Sequence, residues 1–206
     1  MVDATIIPTI RAAVEANEGA GDDWNILSYA QAGASGASFG RMQGDVHADT
    51  FARGVLRQIL TTAGIADEQV DRLVQAFSVA FPTGCPTARK PDEATINAAL
   101  SSPAGQAAIT TMDDALFQRI ADNLDTAIAA SPFPIDTEAL CYAACWFNMT
   151  GPPTNPGMLP WLAAHPGPTV TSTEAQQYLQ ATAFFTAHPR NFARLQDIVT
   201  AAMAAT

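Results

Sequence analysis

Apolar residues recur at intervals of three and four along most of this 206-residue chain, and this spacing constrains its fold more than any other feature. Between residues 5 and 18 the pattern is carried by Ile7, Ile10 and Val14, and Gly19 ends it. A helix gathers residues at this spacing on one face, which packs against a core. Similar patterns, separated by Pro, Gly, Ser and Asp, predict further helices at about 47–63, 67–81, 92–100, 103–130, 136–148, 155–164, 172–187 and 189–204.

Sheet structure is expected to be minor. Val, Ile and Thr never build the repeated period-two runs of a substantial sheet. Residues 19–45 are rich in Gly, Asp, Asn and Ser, which predicts a long loop with buried anchors, and residues 37–40 predict a short hairpin strand. With roughly 100–200 residues expected per domain, we predict one all-α domain over 1–206, with a small β-hairpin near residues 37–45.

The charge balance excludes some partners. Twenty acidic against ten basic residues give a net charge of −10, which opposes binding to nucleic acid and to anionic membrane surfaces. No stretch approaches the ~18 apolar residues that span a bilayer, and Met1–Ile10 lacks the features of a secretory signal. We therefore expect neither nucleic acid nor membrane as a partner. The acidity suits a cationic polymer such as chitosan, although it equally promotes solubility.

The three cysteines give no metal motif. Cys141 and Cys145 are four residues apart in one predicted helix, a spacing that is awkward for a disulfide. A bridge from Cys85 to one of them stays open. No Cys-x-x-Cys or His-x-x-x-His spacing is present and the three histidines are scattered. We expect the cysteines to act as small buried hydrophobic residues.

One acid lies on an apolar helix face. Glu18 follows Val14 by four residues and Ile7 by eleven, so it falls on the apolar stripe at the last turn of the first predicted helix. The negative end of the helix dipole and partial burial are both expected to raise its pKa. Cleavage of a glycosidic bond needs such a proton donor, usually with a second carboxylate. The alternative for Glu18 is a helix-end glutamate that binds loop amides; Glu15, on the flank of the stripe, is expected to be solvated.

Two segments resemble the lysozyme superfamily. The first comprises Glu18-Gly19, Asp23-Trp24-Asn25, Gly33-Ala34 and the run 37–45, which contains Gly40-Arg41-Met42-Gln43. It resembles the catalytic segment of goose-type lysozymes, bacterial lytic transglycosylases and phage lysozyme-like domains, where a helix-ending glutamate precedes a Gly-x-Met-Gln hairpin. The second, 143–152, resembles the helix-ending Ala-Tyr-Asn-x-Gly segment of the same cleft, with a displaced aromatic and a longer Asn-to-Gly spacing. The resemblance covers residues 5–60 and, more loosely, 136–164, and implies a lysozyme-like helical domain.

The resemblance also implies catalytic roles. Glu18 is the implied general acid, and Asp45 occupies the place where goose-type lysozymes carry a second carboxylate. Lytic transglycosylases usually lack that carboxylate, so Asp45 favours attack by an activated water and net inversion. Asp45 could instead cap a helix that starts near His47, or serve both purposes. Asp22 and Asp23 are further candidates for the second carboxylate, and both could simply form a turn.

Several residues are expected to bind substrate. Gln43 would present its amide to a sugar N-acetyl or hydroxyl group, and Ser38 and Gly40 would let the backbone approach the saccharide. Asn148 would bind the ring or hold Glu18. The aromatic residues could be sugar platforms or could pack in the core; they are Trp24, Tyr29, Phe39, Trp146 and Trp161.

These features predict a secreted glycoside hydrolase, or one acting in the periplasm or cell wall, that degrades β-1,4-linked peptidoglycan in the manner of an antimicrobial muramidase. This chemistry needs carboxylates and water, so no cofactor and no metal is expected. A chitosanase or chitinase, a lytic transglycosylase and a non-catalytic glycan-binding module are the alternatives. The Pro-rich stretch 151–168 is expected to be a second functional loop or a stiff connection.

Overall fold

The computed structural model describes residues 1–19, 21–30, 35–150 and 157–205. The protein is mostly helical, with 68% helix and 5% strand, which is compatible with the all-α prediction at the coarser level of a mostly-α fold. The chain groups into two compact units, one formed by Met1–Asn17 with Phe117–Thr206 and the other by Glu18–Leu116.

The described residues contain ten α-helices, and each segment predicted to be helical contributes at least one. The segment 172–187 contributes two, because Thr182 accepts a hydrogen bond from the Phe185 amide and caps a new helix. Residues 155–156 of the predicted helix 155–164 lie outside the described residues. The helices are α1 (Ile7–Glu18), α2 (Thr50–Thr62), α3 (Asp67–Phe77), α4 (Lys90–Leu100), α5 (Pro103–Ala130), α6 (Thr137–Thr150), α7 (Met158–Ala163), α8 (Ser172–Gln180), α9 (Ala183–Ala187) and α10 (Pro189–Ala204).

The unit Glu18–Leu116 contains a small antiparallel sheet. Its strands are β1 (Ser28–Tyr29), β2 (Ala37–Phe39) and β3 (Gly44–Asp45), in that order. The pair β2–β3 occupies the segment where a hairpin is predicted, whereas β1 lies in the segment predicted to be a loop. A short 3₁₀ turn, Gly21–Asp23, precedes β1.

The sheet separates a buried face from a polar one. Ala37 and Phe39 alternate with Ser38 along β2, and both are fully buried. They join a hydrophobic core with apolar side chains of α2, α3 and α4, among them Leu56, Phe77 and Ile96. The opposite face carries Ser38, and this polar face contributes to the candidate site.

The unit formed by residues 1–17 and 117–206 packs around α6. Every residue from Ala139 to Phe147 is buried, including Cys141 and Cys145, as expected for small hydrophobic residues. All three cysteines are thiols, and Cys85 in the other unit is half-buried. None of the described helices has the length and apolar character needed to cross a membrane.

The carboxyl end of α1 is capped by a cation. Arg194 on α10 donates hydrogen bonds from Nη2 to the carbonyl oxygens of Ala16 and Asn17, at 3.4 and 3.0 Å. A guanidinium here counters the negative end of the helix dipole.

Candidate functional site

A pocket of about 450 Å³ lies in the unit Glu18–Leu116, a volume in the range of small-molecule sites. It brings together five residues predicted to act in the site, Glu18, Tyr29, Ser38, Gln43 and Asp45, together with the alternative acid Asp23. The described residues of the lining are Glu18, Gly19, Asp23, Ser28, Tyr29, Ala30, Ser35, Ser38, Gln43 and Asp45.

Glu18 reaches the pocket from the end of α1. The helix stops there because Gly19 adopts a left-handed conformation with φ of 73°, which glycine tolerates without strain. Val14, one turn earlier, is fully buried, and Glu18 is half-buried at the edge of the same stripe. Glu18 therefore lines the pocket from a half-buried position at the end of its helix.

Asp45 lines the pocket and also organises the backbone around it. Its Oδ1 accepts hydrogen bonds from the amides of His47 and Ala48 at 2.7 and 3.1 Å. The amide of Gly36 donates to both carboxylate oxygens, at 3.3 and 3.1 Å. Gly36 is the main donor at Oδ2, so this oxygen has capacity for a further donor such as water.

The expected helix cap at Asp45 is corrected in its position. Residues 46–48 form a turn, and α2 begins at Thr50 with Asp49 as its N-cap. The Asp49 side chain accepts from the Phe51 amide at 2.8 Å. Asp45 therefore stabilises the turn before α2, and Asp49 caps the helix itself.

Gly36 allows the strands to approach Asp45 closely. A Cβ atom added at this position would lie 2.5 Å from Cβ of His47 and 2.9 Å from Oδ1 of Asp45. Both separations are shorter than non-bonded atoms tolerate. The hydrogen bonds from the Gly36 amide thus require a glycine.

One polar row crosses the face of the sheet. The strand register pairs Ser28 with Ser38 and Ser38 with Asp45, so these three side chains are cross-strand neighbours. The Ser28 hydroxyl lies within hydrogen-bonding distance of the Ser38 carbonyl oxygen, at 3.2 Å, and of Oε1 of Gln43. Since it carries one proton, it donates to one of them at a time.

Gln43 is held in the pocket wall by both ends of its amide. Its Nε2 donates to the Gly40 carbonyl oxygen at 2.9 Å, while Oε1 accepts from Ser28. Its backbone is left-handed, with φ of 50°, an uncommon conformation for a residue with a side chain. Among these contacts the second N–H of the Gln43 amide has no acceptor, and the second lone pair of Oε1 has no donor. A ligand could use both groups.

Two residues predicted to contact the substrate are buried. The side chain of Phe39 is fully buried in the core, on the face of β2 opposite to Ser38, so it supports the sheet and contacts no ligand. Gly40 is buried too, and a Cβ there would lie 2.5 Å from Oδ1 of Asp113. Its small size serves an approach to Asp113. The expected approach of the Gly40 backbone to a saccharide stays a prediction.

Tyr29 lines the pocket but places its hydroxyl in the interior. Its ring packs edge-on against Phe81 at 5.4 Å between centroids. Burial raises the pKa of the Tyr29 hydroxyl, with smaller effects from the Cys85 thiol and the Glu93 carboxylate. The oxygen makes no hydrogen bond of good geometry to a described residue. The phenol is therefore neutral at physiological pH.

The other predicted binding residues lie outside the pocket lining. The Trp24 ring is half-buried and its face is covered by the Arg41 guanidinium, 4.1 Å from the centroid. Asn148 and Trp146 belong to α6 in the other unit, where Trp146 is 5% exposed and packs against Phe185. Trp161, in the same unit, stacks on Tyr178 at 4.7 Å.

The lining carries three carboxylates, those of Glu18, Asp23 and Asp45, and its described residues include no Lys, Arg or His. No group of three His, Cys, Asp or Glu side chains in the described part of the chain is arranged to hold a metal ion. Sequence reasoning missed four described residues that contribute to this site: Ser28, Ala30, Ser35 and Gly36. The net effect is a negatively charged pocket with hydroxyl and amide donors on one wall.

Residues 33–34 and 151–152, which contribute to the resemblance described above, and residues 151–156 of the Pro-rich stretch lie outside the described residues. Comparisons with protein-family models, with curated proteins and with solved structures found no match.

Proposed function

We propose that this chain is a glycoside hydrolase of lysozyme-like character that cleaves β-1,4 linkages of an amino-sugar glycan, with peptidoglycan as its expected substrate. The observation that carries the proposal is that Glu18 and Asp45 line one pocket although a long loop separates them in the chain. Glycoside hydrolases need two carboxyl groups on either side of the scissile bond. Ser38 and Gln43, on the same wall, offer hydrogen-bonding groups to sugar hydroxyl or acetamido groups.

In the proposed reaction, the Glu18 carboxyl donates its proton to the glycosidic oxygen as the bond to the anomeric carbon breaks. Asp45 removes a proton from a water molecule, whose oxygen attacks the anomeric carbon from the opposite face. The products are a new reducing end and a free hydroxyl on the leaving sugar. Return of one proton from Asp45 to Glu18 through solvent restores the enzyme.

Substitution Glu18→Gln tests the acid. The amide keeps the shape of the side chain but has no acidic proton to transfer, so turnover of purified cell walls should fall by roughly 100-fold or more. Circular dichroism should show an unchanged helix content. Release of reducing ends and mass spectrometry of the products measure the activity.

The matched control is Glu15→Gln, one turn earlier on α1, where the carboxylate is ion-paired with Arg11 at 2.7 Å and does not line the pocket. It should retain wild-type turnover. Full activity of the Glu18→Gln variant would refute the assignment. Anhydro products would identify a lytic transglycosylase, and wall binding by the wild type without any product would identify a non-catalytic glycan-binding module.

The charge of the pocket favours chitosan as a second candidate substrate. Asp23 and Asp45, with no Lys, Arg or His among the described lining residues, attract a protonated amino sugar while Glu18 holds the proton that it donates. Asp23 lines the pocket, whereas its neighbour Asp22 in the same 3₁₀ turn does not. These two residues therefore form a matched pair for a test of substrate charge.

If chitosan is the substrate, Asp23→Asn should lower kcat/KM on chitosan by roughly 3- to 10-fold at low salt and leave neutral chitin oligomers unaffected, because only the cationic sugar loses an attraction. Asp22→Asn should change neither. Cleavage of peptidoglycan with no cleavage of chitosan would exclude this candidate.

A further inference from the structure

A buried carboxylate beneath the pocket wall has no place in the proposed reaction. Asp113 on α5 is 0% exposed and is not part of the pocket lining. Its Oδ2 accepts a hydrogen bond from the Arg41 amide at 2.9 Å, and its Oδ1 accepts one from the Met42 amide at 3.1 Å. A buried carboxyl is costly unless such donors satisfy it, so the pairing is specific.

The hydrogen bonds fall on the turn that leads into Gln43. Gly40, at its start, has φ of 86°, and its amide donates to the Trp24 carbonyl oxygen at 2.8 Å. Gln43, at the end of the turn, has a left-handed backbone, and its side-chain Nε2 donates a hydrogen bond to the Gly40 carbonyl oxygen. Asp113 binds the two peptide groups between them, and the close fit at Gly40 leaves no space for a side chain there.

We propose that Asp113 is a positioning residue that holds the Gly40–Gln43 turn in the one shape that presents the Gln43 amide to a sugar in the pocket. In this turn each of the two adjacent amide N–H groups binds a different oxygen of the Asp113 carboxylate, and an asparagine in the same position could keep only one of these two bonds. The unusual backbone of Gln43 persists because this contact and the Gly40 carbonyl hold it from both sides. Asp113 acts through Gln43 and touches no substrate itself.

This inference rests on the proposed function in one step, the contact of Gln43 with a sugar. The experiment measures the dissociation constant of tri-N-acetylchitotriose by calorimetry for the wild type, Asp113→Asn, Gln43→Ala and the double variant. Asp113→Asn should weaken binding by about tenfold, because it removes one of two charge-assisted bonds and releases the turn. The double variant should bind no more weakly than Gln43→Ala alone, since Asp113 acts through that side chain.

Asp114→Asn, the same change at the exposed neighbouring position of α5, is the control and should bind as the wild type does. A purely structural role of Asp113 would lower the folded fraction and leave the dissociation constant of the folded protein unchanged. Additive losses in the double variant, or unchanged binding in Asp113→Asn, would overturn the proposal. If Asp113→Asn does not fold, Gly40→Ala disturbs the same contact from the backbone side, and the same coupling to Gln43 is expected.

A second measurement separates this proposal from the proposed function. In nitrogen-15 spectra the wild type should show a dispersed pair of Gln43 side-chain NH₂ signals, and Asp113→Asn should collapse them toward random-coil positions. Wild-type protein that binds and cleaves no glycan would refute the proposed function, while the NH₂ signals would still decide whether Asp113 positions Gln43. Unchanged Gln43 signals in Asp113→Asn would refute the positioning role.

Discussion

At the scale of single residues, Asp45 combines a structural role and a proposed chemical role. It binds the amides of Gly36, His47 and Ala48 while it lines the pocket. Asp45→Asn keeps the size of the side chain but removes the charge and one acceptor. We expect a loss of about 1 kcal/mol in the free energy of unfolding and a fall of roughly 100-fold in hydrolysis, as for loss of a general base.

Asp49→Ala separates these two effects. Asp49 caps α2 through the Phe51 amide and does not line the pocket, so loss of the cap should cost about 1 kcal/mol of stability and leave the activity unchanged. Urea unfolding and reducing-end assays measure the two quantities on the same samples. Hydrolysis that survives in Asp45→Asn would mean that another carboxylate, such as Asp23, activates water.

The acidic residues of the pocket were easier to identify from the sequence than the residues that hold them in place. Glu18 stands out because a carboxylate on an apolar stripe breaks the pattern of its helix. Asp113 breaks the pattern of α5 in the same way: it follows the buried Ile109 by four residues and lies next to the buried Met112. That signal could have identified it. The burial of Phe39 depends on which face of the sheet meets the core, a tertiary property that a three-residue strand does not encode.

At the scale of elements, long amphipathic segments were predictable and short ones were not. The bounds of α5 and α10 agree with the periodic pattern because their apolar stripes continue over several turns. The predicted start near His47 fails for α2, since Asp45 and Asp49 offer competing caps and only the contacts of the folded chain select Asp49. The strand β1 has only two residues, too few for an alternating pattern to be recognised in the sequence. It is a strand because it pairs with β2.

At the scale of the whole molecule, length alone predicts one domain, whereas the described chain groups into two compact units. The first unit draws on both ends of the sequence, and no composition shift or linker marks such a division. Buried ionisable groups in this unit make its stability depend on pH. Burial, reinforced by the Glu138 carboxylate, raises the pKa of both Cys141 and Tyr142 to about 12.

These raised pKa values predict a loss of stability in alkali. In the unfolded chain the two groups release their protons near their ordinary pKa values of 9.0 and 10.0, while the folded chain retains them to about 12. The native state therefore holds more protons than the unfolded state above pH ~9. The free energy of unfolding falls as the pH rises from about 9 to 12, by about 1.4 kcal/mol per pH unit for each additional proton that the native state holds. Urea unfolding at a series of pH values measures this slope.

Cys141→Ala should be less stable at neutral pH, because it leaves a small cavity, but its stability should decline less steeply in alkali. Cys85→Ala, which removes a half-buried thiol from the other unit, should follow the wild-type slope; equal slopes for all three proteins would show that the Cys141 thiol is not protected by the fold.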